Sequence, residues 1–172
     1  PAPIAKRTNA MEARMVTYQT HVQGYGNQAY VYDGAVAGTQ GESKRMESIR
    51  VKLASTIAAN GGIRYRSHIQ DLGWEKDWKT NGALSGTTGR SLRLEAIQLE
   101  LTGAIAEKYD VYYRVHAQNF GWLGWAKNGE EAGTAGFSYR LEGIQIVLVP
   151  KGTVDPVLPG VASARTESFI KK

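Results

Sequence analysis

The amino-acid sequence repeats itself three times, and this repetition restricts the possible folds more than any other feature. All three histidines lie in one recurring motif, at spacings of 47 and 48 residues: His21-Val22-Gln23, His68-Ile69-Gln70 and His116-Ala117-Gln118. A tyrosine stands three positions before each histidine, at Tyr18, Tyr65 and Tyr113. These matches define three units, which span residues 15–62, 63–110 and 111–152.

Two further motifs recur in the second half of each unit. The first is a Gly-Thr segment, in Ala37-Gly38-Thr39-Gln40-Gly41, Ser85-Gly86-Thr87-Thr88-Gly89 and Ala132-Gly133-Thr134-Ala135-Gly136. The second is Arg-x-Glu followed by an isoleucine, at Arg45, Glu47 and Ile49, at Arg93, Glu95 and Ile97, and at Arg140, Glu142 and Ile144. The glycines of the Gly-Thr segment predict a turn there.

The alternation of residues within each unit predicts β-strands. A first strand carries its core face at Val16, Tyr18, Thr20 and Val22, at Ile63, Tyr65, Ser67 and Ile69, and at Val111, Tyr113, Val115 and Ala117. A last strand carries it at Ile49, Val51 and Leu53, at Ile97, Leu99 and Leu101, and at Ile144, Ile146 and Leu148. Between them, Asp33-Gly34, Asn81-Gly82 and Asn128-Gly129 predict tight hairpins, because both residues of such a pair tolerate positive φ. Each unit then holds about four short strands, and the chain about twelve.

The predicted fold is all-β, with the three units of about 48 residues closed around a pseudo-three-fold axis. Closure of this kind leaves no open sheet edge. Two arrangements satisfy it. The β-prism, which has three separate sheets, is favoured, and the β-trefoil, which has a six-stranded barrel with three capping hairpins, is the alternative.

The composition excludes several classes of protein. The chain has no cysteine, which excludes a disulfide scaffold, a thiol nucleophile and a thiolate metal site. No apolar run reaches the roughly 18 residues that a membrane span requires. The formal net charge is +5, but the part between Met15 and Gly152 contributes only +2 of it. Basic residues are therefore concentrated at the ends, which argues against a nucleic-acid-binding face.

The two ends of the chain differ from the repeats. Residues 1–14 open with Pro1-Ala2-Pro3, which is typical of a linker from a preceding domain. Residues 153–172 contain prolines that do not suit a strand interior. We expect this C-terminal extension to pack as coil through Val154, Val157 and Leu158, with residues 163–172 forming a short helix or no ordered structure. The predicted β domain is residues 15–152.

The motifs of the second and third units together resemble the clostridial hydrophobic repeat with a conserved tryptophan, called ChW. The matching pattern, Tyr-x-x-His-x-Gln-x-x-Gly-Trp followed by Asn-Gly, Gly-Thr-x-Gly and Arg-Leu-Glu, runs from Tyr65 to Ile97 and from Tyr113 to Ile144. The first unit departs from it, with Asn27 in place of Trp74 and Trp122 and Tyr30 in place of Trp78 and Trp125.

The resemblance implies a non-catalytic module of a secreted or surface-attached Gram-positive protein, or of a released phage-type lysin. It implies a cell-wall glycan as the ligand, with a surface protein as the alternative, no cofactor, and a monomer within a larger chain. The residues also argue against an enzyme. Candidate groups recur three times in equivalent places, whereas nucleophilic or acid–base catalysis needs an asymmetric set.

The aromatic residues are the predicted ligand-binding groups. Trp74 and Trp122 follow glycine and are expected in the core. Trp78 and Trp125 lie beside the polar Asn-Gly turn, so exposure is favoured for them, and an exposed indole can stack on a sugar ring. The full predicted site comprises these four tryptophans with Tyr30, His68, Gln70, His116 and Gln118. Units two and three are expected to bind, and unit one more weakly.

The histidine and glutamate motifs each allow two interpretations. Three equivalent histidines could converge on the axis and bind Zn²⁺, but local hydrogen bonding within each unit is favoured, so no metal site is predicted. Alternation places Glu47, Glu95 and Glu142 on the same face as core isoleucines. Because an unpaired buried carboxylate is strongly unfavourable, each is predicted to be buried and paired with a base, as a structural anchor rather than a ligand contact.

Overall fold

Residues 14–172 are described by the computed structural model, which is all-β. Each unit forms five strands. Unit one contains β1 (Val16–Val22), β2 (Gly26–Asn27), β3 (Val31–Tyr32), β4 (Ala37–Gly38) and β5 (Met46–Leu53). Unit two contains β6 (Gly62–Ile69), β7 (Gly73–Trp74), β8 (Lys79–Thr80), β9 (Ser85–Gly86) and β10 (Leu94–Thr102). Unit three contains β11 (Tyr109–Ala117), β12 (Gly121–Trp122), β13 (Ala126–Lys127), β14 (Ala132–Ala135) and β15 (Leu141–Pro150).

A sixteenth strand, β16 (Phe169–Lys171), lies in the C-terminal extension, and the described helices are α1 (Ile105–Lys108) and a 3₁₀ turn at Ala58–Asn60. The strand number exceeds the expected twelve because the chain folds back after each histidine strand. In unit two this return puts Asp71 at φ +66° and Gly73 at φ +77°, and β7 then pairs with the end of β6. Neither helix in residues 14–172 has the length and apolar character of a membrane span.

The strands form three sheets, which are arranged around a pseudo-three-fold axis as expected. Residues 14–172 contain no closed barrel. Each sheet is built on the long antiparallel pair of one unit, namely β1 with β5, β6 with β10, and β11 with β15. The Gly-Thr strand of each unit then joins the sheet of a neighbouring unit. β9 pairs with β5, β14 pairs with β10, and β4 pairs with β15, so the exchange closes the ring.

The core lies between the three sheets and confirms the alternation read from the sequence. Every position assigned to the core face of the first and last strands is buried. The tyrosine of each first strand reaches a backbone carbonyl in its own unit, so that Tyr18 donates to Ala35, Tyr65 to Ala83 and Tyr113 to Glu130. The three buried tyrosine hydroxyls are thereby satisfied.

The Asn-Gly and Asp-Gly pairs form the predicted tight turns, but the hairpin expectation was wrong. Asn81 and Gly82 both have positive φ, and the amide of Ala83 donates to the carbonyl of Thr80 at 3.0 Å. The strands on either side of this turn belong to different sheets, since β8 pairs with β6 while β9 pairs with β5. The turn is a corner at which the chain leaves its own sheet. The Gly82 amide marks the crossing by donating to the Val51 carbonyl of unit one at 2.7 Å.

The glycine of each exchanged strand allows the close approach to the neighbouring unit. Gly86 has φ +101°, and a Cβ there would collide with the backbone carbonyl oxygen of Glu47. Gly38 and Gly133 meet Glu142 and Glu95 in the same way. The Gly-Thr segment was predicted as a turn, but it is a short strand followed by a bend at the next glycine of the motif.

The linker predicted for residues 1–14 lies almost wholly outside the described residues. The C-terminal extension departs from expectation. Val154 and Val157 are exposed, so the expected packing through these valines was wrong. Among the last ten residues, 163–168 form neither helix nor strand, and the expected helix or unordered end is replaced at Phe169–Lys171 by β16, which pairs in parallel with β14. Backbone hydrogen bonds to an open strand edge, more than apolar burial of valines, hold this segment in place.

Candidate functional site

Unit two carries a row of aromatic and cationic side chains on the outer face of its sheet. Because β6 buries alternate residues, Arg64, Arg66 and His68 share the opposite face. The register of β6 with β7 places Trp74 opposite His68, and Trp78 directly precedes β8. All five side chains are half-buried, so the row is open to solvent along its length. We call these five residues the unit-two row.

Guanidinium and indole groups alternate along this row. The Arg66 Cζ atom lies 5.0 Å from the ring centroid of Trp78 and 5.5 Å from that of Trp74. Arg64 lies 4.6 Å from the Trp78 centroid at one end. At the other end His68 meets Trp74 edge to face, with centroids 5.4 Å apart. Such cation–π and edge contacts hold the rings in defined orientations.

The unit-three equivalent has Tyr112 in place of Arg64 and is partly covered, because its Arg114 and Trp122 are buried while His116 and Trp125 are half-buried like their unit-two counterparts. Arg114 lies 4.6 Å from the Trp122 centroid and 5.0 Å from that of Trp125. The C-terminal extension crosses this site, where the Ala164 amide donates to the Trp122 carbonyl and Arg114 donates to the Ser163 hydroxyl, both at 2.8 Å. Arg114 is only 1% exposed, and this burial lowers the pKa of its guanidinium below the ordinary value.

A single replacement explains why the extension settles on unit three. In unit two the Glu75 carboxylate accepts from the amides of Ser67 at 3.0 Å and Gly86 at 3.2 Å, which occupies the strand edge. Unit three has Leu123 at this position, and it is buried in the core. The Gly133 amide is therefore left to donate to the Ser168 carbonyl at 2.9 Å.

Unit one has no equivalent row. Gln19 stands where units two and three have Arg66 and Arg114, and Arg50 stands where they have a glutamine. Gln19 and Arg50 are register partners, so the arginine–glutamine pair is exchanged between the two strands. Tyr30 is half-buried and packs against the Lys52 ammonium, 4.8 Å from its ring centroid.

The structure separates the predicted site residues into two places. His68, Trp74 and Trp78 come together in the unit-two row, and His116, Trp122 and Trp125 in the partly covered equivalent. Gln70 and Gln118 lie elsewhere, in a cavity at the meeting point of the three units. The core expectation holds for Trp122, which is 6% exposed, and was wrong for Trp74, which is half-buried. The difference arises because the C-terminal extension covers only the former.

Each histidine lies against a glutamate of its own unit. The Nδ1 atoms of His21, His68 and His116 lie 3.1, 3.0 and 2.9 Å from Oε1 of Glu47, Glu95 and Glu142. The second carboxylate oxygen of each glutamate accepts from the Nε of Arg45, Arg93 or Arg140, at 2.7, 2.9 and 2.9 Å. The prediction of buried, paired glutamates is confirmed. Within residues 14–172, no cluster of His, Asp or Glu is arranged to hold a metal ion.

Sequence reasoning missed the arginines that order the tryptophans. Their signal was present, because Arg64, Arg66 and His68 alternate along one strand, as Arg114 and His116 do along another. The covering of unit three had no comparable signal, since it depends on a buried leucine and a distant segment.

The three units also match a known family. The family described as clostridial hydrophobic W, ChW, matches residues 21–55, 68–103 and 116–150, which is more than half of the chain. The chain belongs to the ChW family. Each ChW match begins at the histidine of a unit and ends at or just after its last strand, so the family repeat includes the exchanged Gly-Thr strand and the Arg-x-Glu motif. No curated protein and no solved structure matches the chain significantly.

Proposed function

We propose that this chain is a non-catalytic module that binds bacterial cell-wall polysaccharide, and that the unit-two row is its principal binding site. Membership of a repeat family of cell-wall-associated modules is compatible with this role. The observation that carries the proposal is the solvent-open alternation of Trp78, Arg66 and Trp74. Indole rings offer flat apolar surface, while guanidinium groups and His68 offer hydrogen bonds for sugar hydroxyl or carboxylate groups.

The proposal also includes a cellular location and a role for the module. It would serve as the targeting part of a secreted hydrolase or phage-type lysin, acting on or near a Gram-positive cell surface. Binding at a shallow open row is weak, so affinity would come from contact with a repeated polymer. No cofactor enters this role.

The test is a binding isotherm on purified cell walls, before and after the wall polysaccharide is removed. Trp78→Ala should weaken binding about tenfold, since loss of a large aromatic contact is worth roughly 1–2 kcal/mol or more. Trp125→Ala is the matched control in unit three and should have a smaller effect, because the neighbouring Trp122 and Arg114 are covered. A thermal melt of each variant establishes that it is folded. Unchanged binding by folded Trp78→Ala, or undiminished binding to stripped walls, would reject the proposal.

A protein ligand is the second candidate. It is favoured by Val154, Val157 and Val161, whose side chains are exposed within eight residues of the C-terminal extension. If binding to cell walls is unchanged in Trp78→Ala but lost in Val157→Ser, the result would support a protein ligand and contradict the polysaccharide proposal.

A further inference from the structure

We infer that the cavity on the pseudo-three-fold axis binds a phosphate- or sulfate-type oxyanion. The cavity has a volume of about 410 Å³, and its lining consists of one glutamine, one serine and one arginine from every unit. It lies apart from the unit-two row, and the inference does not depend on the proposed polysaccharide site.

The arginines bring three positive charges to one small space. Arg45, Arg93 and Arg140 all line the cavity, and no carboxylate does. The Nε of each is anchored by a buried glutamate behind it. In the described part of the chain, the terminal guanidinium nitrogens donate to no protein acceptor. Anchoring by Nε thus fixes each guanidinium while leaving its outer nitrogens available for a ligand.

Each cavity glutamine is held by its side-chain oxygen, which leaves its side-chain NH₂ group free to donate. The Oε1 atoms of Gln23, Gln70 and Gln118 accept from the backbone amides of the three cavity arginines, each at 3.2 Å. Because the carbonyl end of each side chain is used in this way, the amide nitrogen is the end left for another partner. This hydrogen bond recurs in all three units at the same distance, so the fold itself sets the orientation of the glutamine side chain.

The serines retain a hydroxyl at a backbone position that favours glycine. Ser43, Ser91 and Ser138 have φ values of +56°, +56° and +60°. A non-glycine residue in this left-handed region is strained. All three are exposed at the cavity, where each hydroxyl can donate a hydrogen bond. A side chain kept in this strained position in every unit indicates that the hydroxyl has a use.

These groups together define the class of ligand. The lining supplies guanidinium, amide and hydroxyl donors in three-fold array, without aromatic rings for a sugar face to stack on. Tetrahedral oxyanions present several acceptor oxygens and accept paired hydrogen bonds from arginine. Since one molecule of liquid water occupies about 30 Å³, 410 Å³ exceeds what a lone four-oxygen anion needs. The cavity therefore has room for the group that carries the phosphate or sulfate.

The experiment is a titration of ¹⁵N-labelled protein at constant ionic strength with inorganic phosphate, sulfate, glycerol phosphate and, as uncharged control, glycerol. Saturable shifts should appear at the amides of Ser43, Ser91 and Ser138 with the anions and be absent with glycerol. Tighter binding of glycerol phosphate than of inorganic phosphate would identify a carried group as the preferred form. The reverse order would identify the free anion, and either order supports the site.

Two variants and one control make the result decisive. Arg93→Gln should weaken anion binding at least about tenfold, because hydrogen bonds to charged groups contribute most to such sites. Arg90→Gln removes the same charge from an exposed residue next to Ser91 that does not line the cavity, and it should bind as wild type.

The triple variant Ser43→Gly, Ser91→Gly, Ser138→Gly covers the case in which Arg93→Gln fails to fold. It relieves backbone strain, so it should melt at or above the wild-type temperature while binding anions several-fold more weakly. The inference is overturned if the triple variant binds as wild type, if Arg90→Gln loses as much affinity as Arg93→Gln, or if shifts spread over basic residues elsewhere without saturating.

Discussion

At the scale of single residues, Glu95 occupies a position whose neighbours are core. Leu94 and Ala96 are fully buried, and Glu95 is itself only 7% exposed. Its charge is tolerated because Arg93 and His68 contact its two oxygens, and the same arrangement stands in the other two units. Removing one partner of a buried pair leaves the other uncompensated, which is the larger part of the penalty.

We therefore expect Glu95→Ala to lower the free energy of unfolding by about 3–5 kcal/mol. Glu100→Ala is the matched control on the same strand, because Glu100 pairs with Arg64 at the half-exposed surface. Exposed pairs contribute about 0–1 kcal/mol, so the control should lose no more than that. Urea denaturation of both variants measures the difference, and equal losses would contradict the buried-pair interpretation.

At the scale of elements, the exchanged Gly-Thr strands hold neighbouring units together. Each contributes only a few residues to a foreign sheet, and each depends on a glycine that faces a glutamate carbonyl of that sheet. The contact links the exchange directly to the buried glutamates, since Gly86 packs against the backbone of Glu47 and Gly133 against that of Glu95.

Gly86→Ala should lower the free energy of unfolding by roughly 2–4 kcal/mol, because backbone strain at positive φ adds to a steric clash in a packed interface. Gly89→Ala provides the control within the same motif. Gly89 also has positive φ, at +72°, but a Cβ there would meet nothing within 4 Å. Strain alone should cost it about 1 kcal/mol. Chemical denaturation should separate the two, and a Gly86→Ala loss no greater than that of Gly89→Ala would show that the interface can yield.

The C-terminal extension is the second element whose effect can be isolated. Deleting residues 160–172 removes the segment that crosses Trp122 and Arg114 and frees the edge of β14. Stability should fall by about 2–4 kcal/mol, since several hydrogen bonds of roughly 1 kcal/mol each are lost. Acrylamide quenching of tryptophan fluorescence should rise. The rise should vanish in Trp122→Phe, and its persistence there would place the newly exposed tryptophan elsewhere.

At the scale of the whole molecule, the three units form one cooperative body. Each sheet contains strands of two units, so no unit completes its hydrogen bonding alone. One tyrosine of each unit is fully buried in the shared core, at Tyr18, Tyr65 and Tyr113. Burial raises the pKa of Tyr65 to about 12 and raises the pKa values of Tyr18 and Tyr113 further.

This burial predicts alkaline instability in a single transition. Unfolded tyrosines ionise near pH 10, while the buried ones keep their protons until about pH 12 or above. The folded state thus holds more protons than the unfolded state in this window, so stability is complete below about pH 10 and falls as pH rises. Absorbance titration should show three of the nine tyrosines ionising only as the fold is lost.

Tyr65→Phe and Tyr25→Phe make a matched pair for this titration. Tyr65→Phe should lose about 1 kcal/mol at neutral pH, because the Ala83 carbonyl loses its donor, and should show a shallower fall at high pH. Tyr25 is exposed, and its surface hydrogen bond to Glu42 raises its pKa, so its variant should follow wild type much more closely than Tyr65→Phe does. Independent ionisation of all nine tyrosines before unfolding would contradict the prediction.

Patterns in the amino-acid sequence were enough to predict the three units, the core faces of the long strands, the tight turns at Asn81-Gly82 and its equivalents, and the burial of Glu95 and its equivalents. The core faces and the turns follow from local chemistry, because period-two alternation assigns a residue to a face and an Asn-Gly pair adopts positive φ wherever it stands. Glu95 is buried at a bulge of β10, where the alternation breaks and Leu94 to Ile97 are all buried. Tertiary structure alone decided that β9 leaves unit two for the sheet of unit one. It also decided that Gln70 faces the axis while Trp74 faces outward, and that the C-terminal extension covers Trp122. Those outcomes depend on which distant strand edge has unpaired amides and on which side chains meet at the axis. Residues that are adjacent in sequence do not determine either of these.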